Sequence, residues 1–476
     1  MDSLPAPNSL RQVLMPRFSK TLFVFRRDLR LEDNTGLLFA LENSEKVIPC
    51  FIFTPEQIEN NPYLSLRALQ FMIESLEDLS ESLKKKKGHL YLFYGDPATI
   101  IDKLIISLSL DAVAINRDYT PYSAQRDTLI EKVCQKRDIP LLVLDDALLH
   151  SPEETLKADG SPYSVFTPFY NNASRSHVAS PVPNRYHNYY TQAIATDQGD
   201  KLYKKILPTR VDQAPGGRES ALKILKKLKT FSHYSKERDF PALDSTTHLS
   251  AHLKFATCSA REVYYAVCEK LGPRSDILRS LYWRDFFSSI ALYFPHVFQG
   301  AFHKKFNALS WDTNKKAFTA WCLGETGFPI VDAGMRELNT TGYMHNRVRM
   351  IVGSFLVKDL HINWRWGEKY FATTLIDYDP AINNGNWQWV ASTGCDAQPY
   401  FRIFNPWNQQ EKFDPDCVYI KRWVPELREL PPKILHRWFL QEHHDLCPAY
   451  IPPIVDHSVE AKKTLLLYKK AASSHK

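Results

Sequence analysis

An α/β domain built on a doubly wound parallel sheet, joined to a second, all-α domain, is the architecture this sequence predicts. Three observations predict it. At 476 residues the chain exceeds one ordinary domain, and its 44% hydrophobic content suffices for two large cores. Between residues 20 and 145, short continuous apolar runs alternate with helical stretches, as in βαβ units whose strands are covered on both faces. Beyond Gly216-Gly217 the strand signal stops and amphipathic helical spacing takes over.

In chain order, residues 1–19 read as a loose extension, interrupted by prolines and lacking the apolar stretch of a signal peptide. Arg11, Arg17 and Lys20 would suit an organelle-targeting peptide, but Asp2 and the short length favour an untargeted tail. Strands are expected at residues 22–25, 47–53, 89–93, 112–115 and 141–144, with helices at 64–83 and 123–137 among them. No Gly-x-Gly-x-x-Gly or Walker loop occurs in this α/β region, which argues against a dinucleotide dehydrogenase or an NTPase. The four lysines at 84–87 read as a solvated helix end that complements the helix dipole. Residues 146–215, with seven prolines, predict a long irregular connection over the surface, kept ordered by the aromatics at 163–170. The helical domain, residues 216–476, shows amphipathic spacing at 219–228, 260–270, 277–293, 313–323, 332–339 and 347–360, without internal repeats.

Charge and cysteine content narrow the function. Lys and Arg number 60 against 53 Asp and Glu, a net +7, so attraction to a polyanion would have to come from local patches. The eight cysteines have no Cys-x-x-Cys spacing and no nearby paired histidines, which argues against zinc, iron–sulfur and disulfide frameworks and predicts a reducing compartment. No apolar run is long enough to span a membrane. The expected location is the cytoplasm, or the nucleus or an organelle in a eukaryote, and the expected state is a monomer.

The most informative stretch is Asp377-Tyr-Asp379-Pro-Ala-Ile-Asn383-Asn-Gly-Asn-Trp387-Gln-Trp389, followed by Ala391-Ser-Thr-Gly. Carboxylates and amides can orient and tune an organic cofactor, and indoles can carry an electron or stack on a base. A purely structural reading of each residue exists: the tryptophans as core, an Arg–Asp pair as an ion pair, Thr and Ser as helix caps. Taken together with Tyr234-Ser-Lys-Glu-Arg238, Thr246-Thr247-His248-Leu249-Ser250 and His345-Asn346-Arg347-Val-Arg349-Met350, the stretch resembles the DNA photolyase and cryptochrome family, closest to class I cyclobutane pyrimidine dimer photolyases. The resemblance runs over almost the whole chain.

That resemblance implies an FAD held by Tyr234, Thr246, Thr247, His248, Leu249, Ser250, Arg349, Asp377, Asp379 and Asn383. Asn383 would face the flavin N5, and Arg349 with Asp377 would lie beside the same ring. His248 departs from the family's usual Arg. Trp387, Trp364 and Trp311 fall on the positions of an electron-transfer triad. Trp283 and Trp389 would line the cavity for the dimer, with Asn346 and Met350 in the pattern of cyclobutane-dimer enzymes. Arg238, Arg347 and Lys412 would hold phosphates, and Arg402 and Gln409 lie in the matching segment. Ser280 stands where class I enzymes usually carry a Glu against the dimer bases.

The function so implied is light-driven repair of damaged DNA, a carbon–carbon lyase reaction in which excited reduced FAD lends one electron to the dimer. The antenna stays open between a folate, a deazaflavin and none, since Asn116-Arg-Asp-Tyr-Thr-Pro-Tyr122-Ser123 lacks the Asn-Glu pair of some folate-binding members. The alternative is a cryptochrome-type photoreceptor without repair activity. A chain end soon after the last apolar helix favours repair.

Overall fold

The computed structural model describes residues 17–59 and 61–473. Five strands, β1 (Phe18–Phe25), β2 (Ser44–Phe53), β3 (Tyr91–Tyr94), β4 (Ala112–Asn116) and β5 (Leu141–Leu144), form one sheet in the order β3-β2-β1-β4-β5. All four pairings are parallel. The crossover helices are α1 (Thr35–Asn43), α2 (Leu66–Lys85), α3 (Pro97–Leu108) and α4 (Pro121–Lys136). Their starts are written locally: Asn34, Ser65, Asp96 and Thr120 cap them, and Pro97 and Pro121 occupy first-turn positions where no N–H is needed. Chain progression reverses between β1 and β4, so the loops after Phe25 and Asn116 open a crevice at the strands' carboxyl ends.

One expectation needs correction at the N-terminus. Phe18 is buried and pairs with Ser44, and the Ser19 N–H donates to Asp111 at 2.8 Å, so residues 18 and 19 belong to the sheet. Of the rest of the expected extension, Arg17 is exposed beside the Phe18 ring and residues 1–16 lie outside the described residues. The lysines at 84–87 are also less uniform than expected, since Lys84 pairs with Glu81 while the Lys86 ammonium is tied to the Asn184 carbonyl at 2.7 Å.

The connection at 146–215 is ordered and contains a helix, α5 (Phe166–Ala173), together with a helical turn at Lys201–Ile206. It leads to α6 (Arg218–Lys226), α7 (Ala260–Leu271), α8 (Asp276–Tyr293), α9 (Lys315–Leu323), α10 (Pro329–Thr341), α11 (Asn346–Ser354), α12 (Trp364–Thr374), α13 (Pro380–Val390), α14 (Pro406–Phe413) and α15 (His457–Ser473). The expected helix at 347–360 is in fact α11 followed by a wider π turn at Phe355–Asp359.

Two glycines set the helix spacing around the centre of this domain. A Cβ on Gly367 would lie 2.1 Å from the Trp387 ring, and one on Gly385 would lie 2.2 Å from the Phe287 ring. Glycine therefore lets α12 rest on the Trp387 indole and lets α13 approach α8, which a methyl group would prevent without repacking.

Buried ion pairs join the two domains. Arg30 lies 2.7 Å from Asp146, both almost fully buried, and Arg261 of α7 reaches Asp33 at 3.0 Å and Asp146 at 3.1 Å. Arg261 also donates to the Asp33 carbonyl at 2.8 Å, so the guanidinium is held by hydrogen bonds as well as by charge. Behind them, the Gly216, Gly217 and Arg218 N–H groups donate to Glu74, Ser75 and Asp78 of α2.

Candidate active site

Helix α13 organises the site. Asp379 caps it, accepting the Ala381 and Ile382 N–H groups at 3.0 and 3.2 Å, and Pro380 follows in the first turn. One turn on, the Asn383 amide nitrogen donates to the Glu368 carbonyl of α12 at 3.1 Å. That commits its donor end and leaves Oδ1 as the acceptor for a ligand. Neighbouring Asn384 donates to the Glu368 carboxylate at 2.9 Å and to the Val297 carbonyl at 3.2 Å. Burial pushes the Glu368 carboxyl up to about 7, against the pull of the Asn384 hydrogen bond and of Arg365.

Arg349 of α11 makes a two-pronged pair with Asp377, at 3.1 and 2.8 Å, and its Nε donates to the Met344 carbonyl at 2.8 Å. Burial works against this cation, but Asp377 outweighs it and raises the guanidinium pKa. The pair is rigid because both prongs and the Nε are fixed.

Beneath Asp379 lies a cationic floor that the sequence did not disclose. Arg27, from the loop after β1, pairs with Asp379 at 2.6 Å and lies 3.5 Å from Asp118. Lys254 and Arg284 act on the same carboxylate. Burial alone would raise the Asp379 carboxyl, but Arg27, Lys254 and Arg284 together hold it at about 2. Burial, reinforced by Arg27, lowers the Lys254 ammonium to about 8. Among the described residues no carboxylate lies within ion-pair distance of Lys254. Burial also raises the nearby Asp285 carboxyl to about 7, which weakens its value as a counter-charge for Arg284. Three cations facing the carboxylates of Asp379 and Asp118 leave a positive surplus, and a buried surplus of this kind fits a pyrophosphate.

The segment at 234–254 forms the adjoining wall. Tyr234 opens a short helical turn, and the Thr246 hydroxyl lies 3.4 Å from that of Tyr343. His248 adopts a left-handed backbone (φ 51°), lies 4.5 Å from the Tyr343 ring at a 42° tilt and pairs with Asp244 at 2.9 Å. The Leu249 side chain is buried in the core, so only its backbone is available to a ligand. Ser250 begins a five-residue helix that ends at Lys254. A helix so short has little dipole, and Lys254 and Arg284 carry the anion-binding capacity instead.

Two family models match the chain: DNA photolyase over residues 21–186, and the FAD binding domain of DNA photolyase over residues 277–470. The deoxyribodipyrimidine photo-lyase of Alkalihalophilus pseudofirmus is 36% identical, over 94% of this chain and 97% of its own. The chain belongs to the photolyase and cryptochrome family. Two solved photolyases superpose on it closely. The archaeal enzyme from Sulfolobus tokodaii, described with two FAD molecules that imply a novel light-harvesting cofactor, is 42% identical with a TM-score of 0.87, over 95% of this chain and all of its own. The bacterial class III photolyase from Agrobacterium tumefaciens is 36% identical with a TM-score of 0.88, over 98% of this chain and all of its own. The helical half of this photolyase-family chain is thus an FAD-binding domain, and the pocket just described fits the cofactor: a fixed Arg–Asp pair, an amide acceptor and a cationic floor.

The indoles expected to form a line are arranged unevenly. Trp387 is buried against Phe371 and Trp321, at ring separations of 5.0 and 6.2 Å. Trp364, the first residue of α12, is also buried. Trp311 is partly exposed, and the bridge between Asp312 and Ile362 draws it beside Trp364, where both line a cavity of about 290 Å³.

On the outer face, Ser280 is exposed on α8, one turn before Trp283. One face of Trp283 is covered by Phe166 of α5, stacked at 3.6 Å and 6°. Sequence reasoning missed Phe166, whose only signal was the aromatic content of the connection. Trp389 is partly buried, and Asn346 and Met350 share one face of α11, 3.9 Å apart. Arg402 and Lys412 are exposed, Gln409 is half-buried, and Arg238 lies 3.8 Å from Asp276.

Arg347 is placed differently from the other phosphate candidates. It pairs with Asp239 at 2.8 Å and lies 4.3 Å above the Phe413 ring. The expected result is a split. Lys412→Ala should lower the salt slope of DNA binding by about one unit at unchanged stability. Arg347→Ala should instead cost about 1–2 kcal/mol of stability. Thermal melts and binding isotherms at several salt concentrations read both, and an unaltered melt for Arg347→Ala would return it to the phosphate contacts.

Proposed function

We propose that this protein splits cyclobutane pyrimidine dimers in DNA with light, acting as a monomer. The observation that carries the reading is the cluster at the start of α13, where the Arg349–Asp377 pair, the Asn383 acceptor and the Arg27–Lys254–Arg284 floor come together. When bound, reduced FAD supplies the light-driven electron that enters the dimer and is recovered after the ring opens. The chain's own part is to hold and exclude. Arg349 places a fixed positive charge beside the ring, Asp377 keeps it there, and Asn383 offers Oδ1 to a ring N–H. Trp283 and Trp389 offer apolar surface to an extruded lesion, which has already lost pairing and stacking and costs less to flip than an ordinary base.

The Asn346 and Met350 pattern supports a cyclobutane-dimer enzyme; placement beside class I rests on the sequence resemblance alone, and a class III structure matches 98% of the chain. For the antenna, the archaeal relative adds a flavin to the choice between folate and deazaflavin. The test is illumination of the reduced holoprotein with an oligonucleotide containing one thymine dimer. Recovery of intact thymines is expected. Binding without recovery would select a photoreceptor.

A further inference from the structure

Between residues 201 and 238 the chain carries eleven Lys and Arg against three Asp and Glu, a surplus larger than the +7 of the whole protein, so the rest of the molecule is close to electroneutral. Helix α6 and the turn at Leu228–Phe231 hold the densest part. Ala221, Leu225 and Leu228 are buried in the core, whereas Lys223, Lys226, Lys227 and Lys229 are all exposed. Lys226 and Lys227 follow Lys223 by three and four positions and share its face, an arrangement of like charges that weakens a helix. Glu219, one turn before Lys223, is the sole acid within α6. Lys270 of α7 adds a further cation here, its ammonium donating to the Leu225 and Lys226 carbonyls at 2.7 and 3.3 Å.

This row does not end in open surface. Lys236 is exposed in the turn Tyr234–Glu237, and Arg238, which closes that turn, lies 3.8 Å from Asp276, the first residue of the helix that carries Ser280 and Trp283. The lysines therefore lead to the rim of the lesion cavity. The nine residues of α6 span about 13 Å, roughly four base-pair steps of a duplex.

We propose that Lys223, Lys226, Lys227 and Lys229 grip the sugar–phosphate backbone of the duplex flanking a lesion, extending the footprint beyond the residues around the cavity. The inference rests on the photolyase reading. Contacts of this kind neutralise phosphates and read no sequence.

The test uses full-length holoprotein with all four lysines replaced by glutamine, and a second variant with all four replaced by arginine. Two probes are compared: a duplex of about 30 base pairs with a central thymine dimer, and a single strand of roughly five nucleotides with the same dimer, too short to reach the row. For the glutamine variant, the salt slope on the duplex should fall by about 2–3 units, with affinity at low salt down about tenfold or more. Affinity for the short strand and repair per absorbed photon should not change, and the arginine variant should match the parent on both probes. An unchanged duplex slope would make the row a solvated face and overturn the proposal. So would an equal loss on both probes, because the lysines would then act through the cavity or the fold. Failure of the photolyase reading shows separately, in an unsubstituted protein that leaves the dimer intact.

Discussion

Asp379→Ala is expected to destabilise the protein by about 3–5 kcal/mol and to abolish retention of FAD. Two losses combine. The cap of α13 goes, at about 1 kcal/mol, and Arg27 remains in a largely buried site with only the more distant Asp118 as partner. Asp379→Asn should recover the cap but not the charge, falling between the two in a denaturant titration. The pH dependence follows the depressed carboxyl. With the Asp379 pKa lowered to about 2 in the folded protein, its contribution is present in full above the ordinary carboxylate range and is lost as pH falls towards 2. That contribution amounts to about 2 kcal/mol. A parent protein and an Asp379→Asn variant whose stabilities fall in parallel from pH 5 to pH 2 would remove Asp379 from this role.

Trp387→Phe is expected to slow light-driven reduction of the oxidised holoprotein by at least about tenfold, while leaving repair by chemically reduced protein nearly unchanged. The indole is suited to that selective effect because it is buried between α12 and α13, in contact with Phe371 and Trp321 and lying directly over Gly367. Truncation to Phe leaves a small void, with a stability cost of about 1–3 kcal/mol. Photoreduction is followed as bleaching of the bound flavin's absorbance under blue light. Equal rates in parent and variant would take Trp387 out of the electron path, and loss of repair after chemical reduction would show that the substitution had disturbed the pocket instead.

The sheet was legible because its central strands are buried on both faces and all five read as apolar runs, as at residues 47–53, even though edge strand β5 is only partly covered. The starts of β2 at Ser44-Glu-Lys and of β1 at Phe18-Ser-Lys were not, because pairing with each other, rather than composition, extends those strands. Helix α13 carried its own start signal in Asp379-Pro380. Of the pocket, Arg349, Asp377 and Asn383 were reached through their motifs. Arg27 was not, since its partner Asp379 lies 352 positions further along the chain, and no local pattern records a contact made by domain packing. Phe166 on Trp283 escaped for the same reason. Arg347 shows the converse, a cation singled out from its motif whose charge the fold engages with Asp239.

The buried pairs of Arg30, Arg261 and Arg27 with Asp146, Asp33 and Asp379 have an optical consequence. Transfer of excitation between two pigments depends on their separation and on the angle between their transition dipoles. A hinge between the domains would average that angle, and unpaired buried charges make such a hinge costly. A pigment seated at the crevice between β1 and β4 would therefore keep one fixed orientation towards the flavin, and the yield of energy transfer would be written into the placement of three arginines.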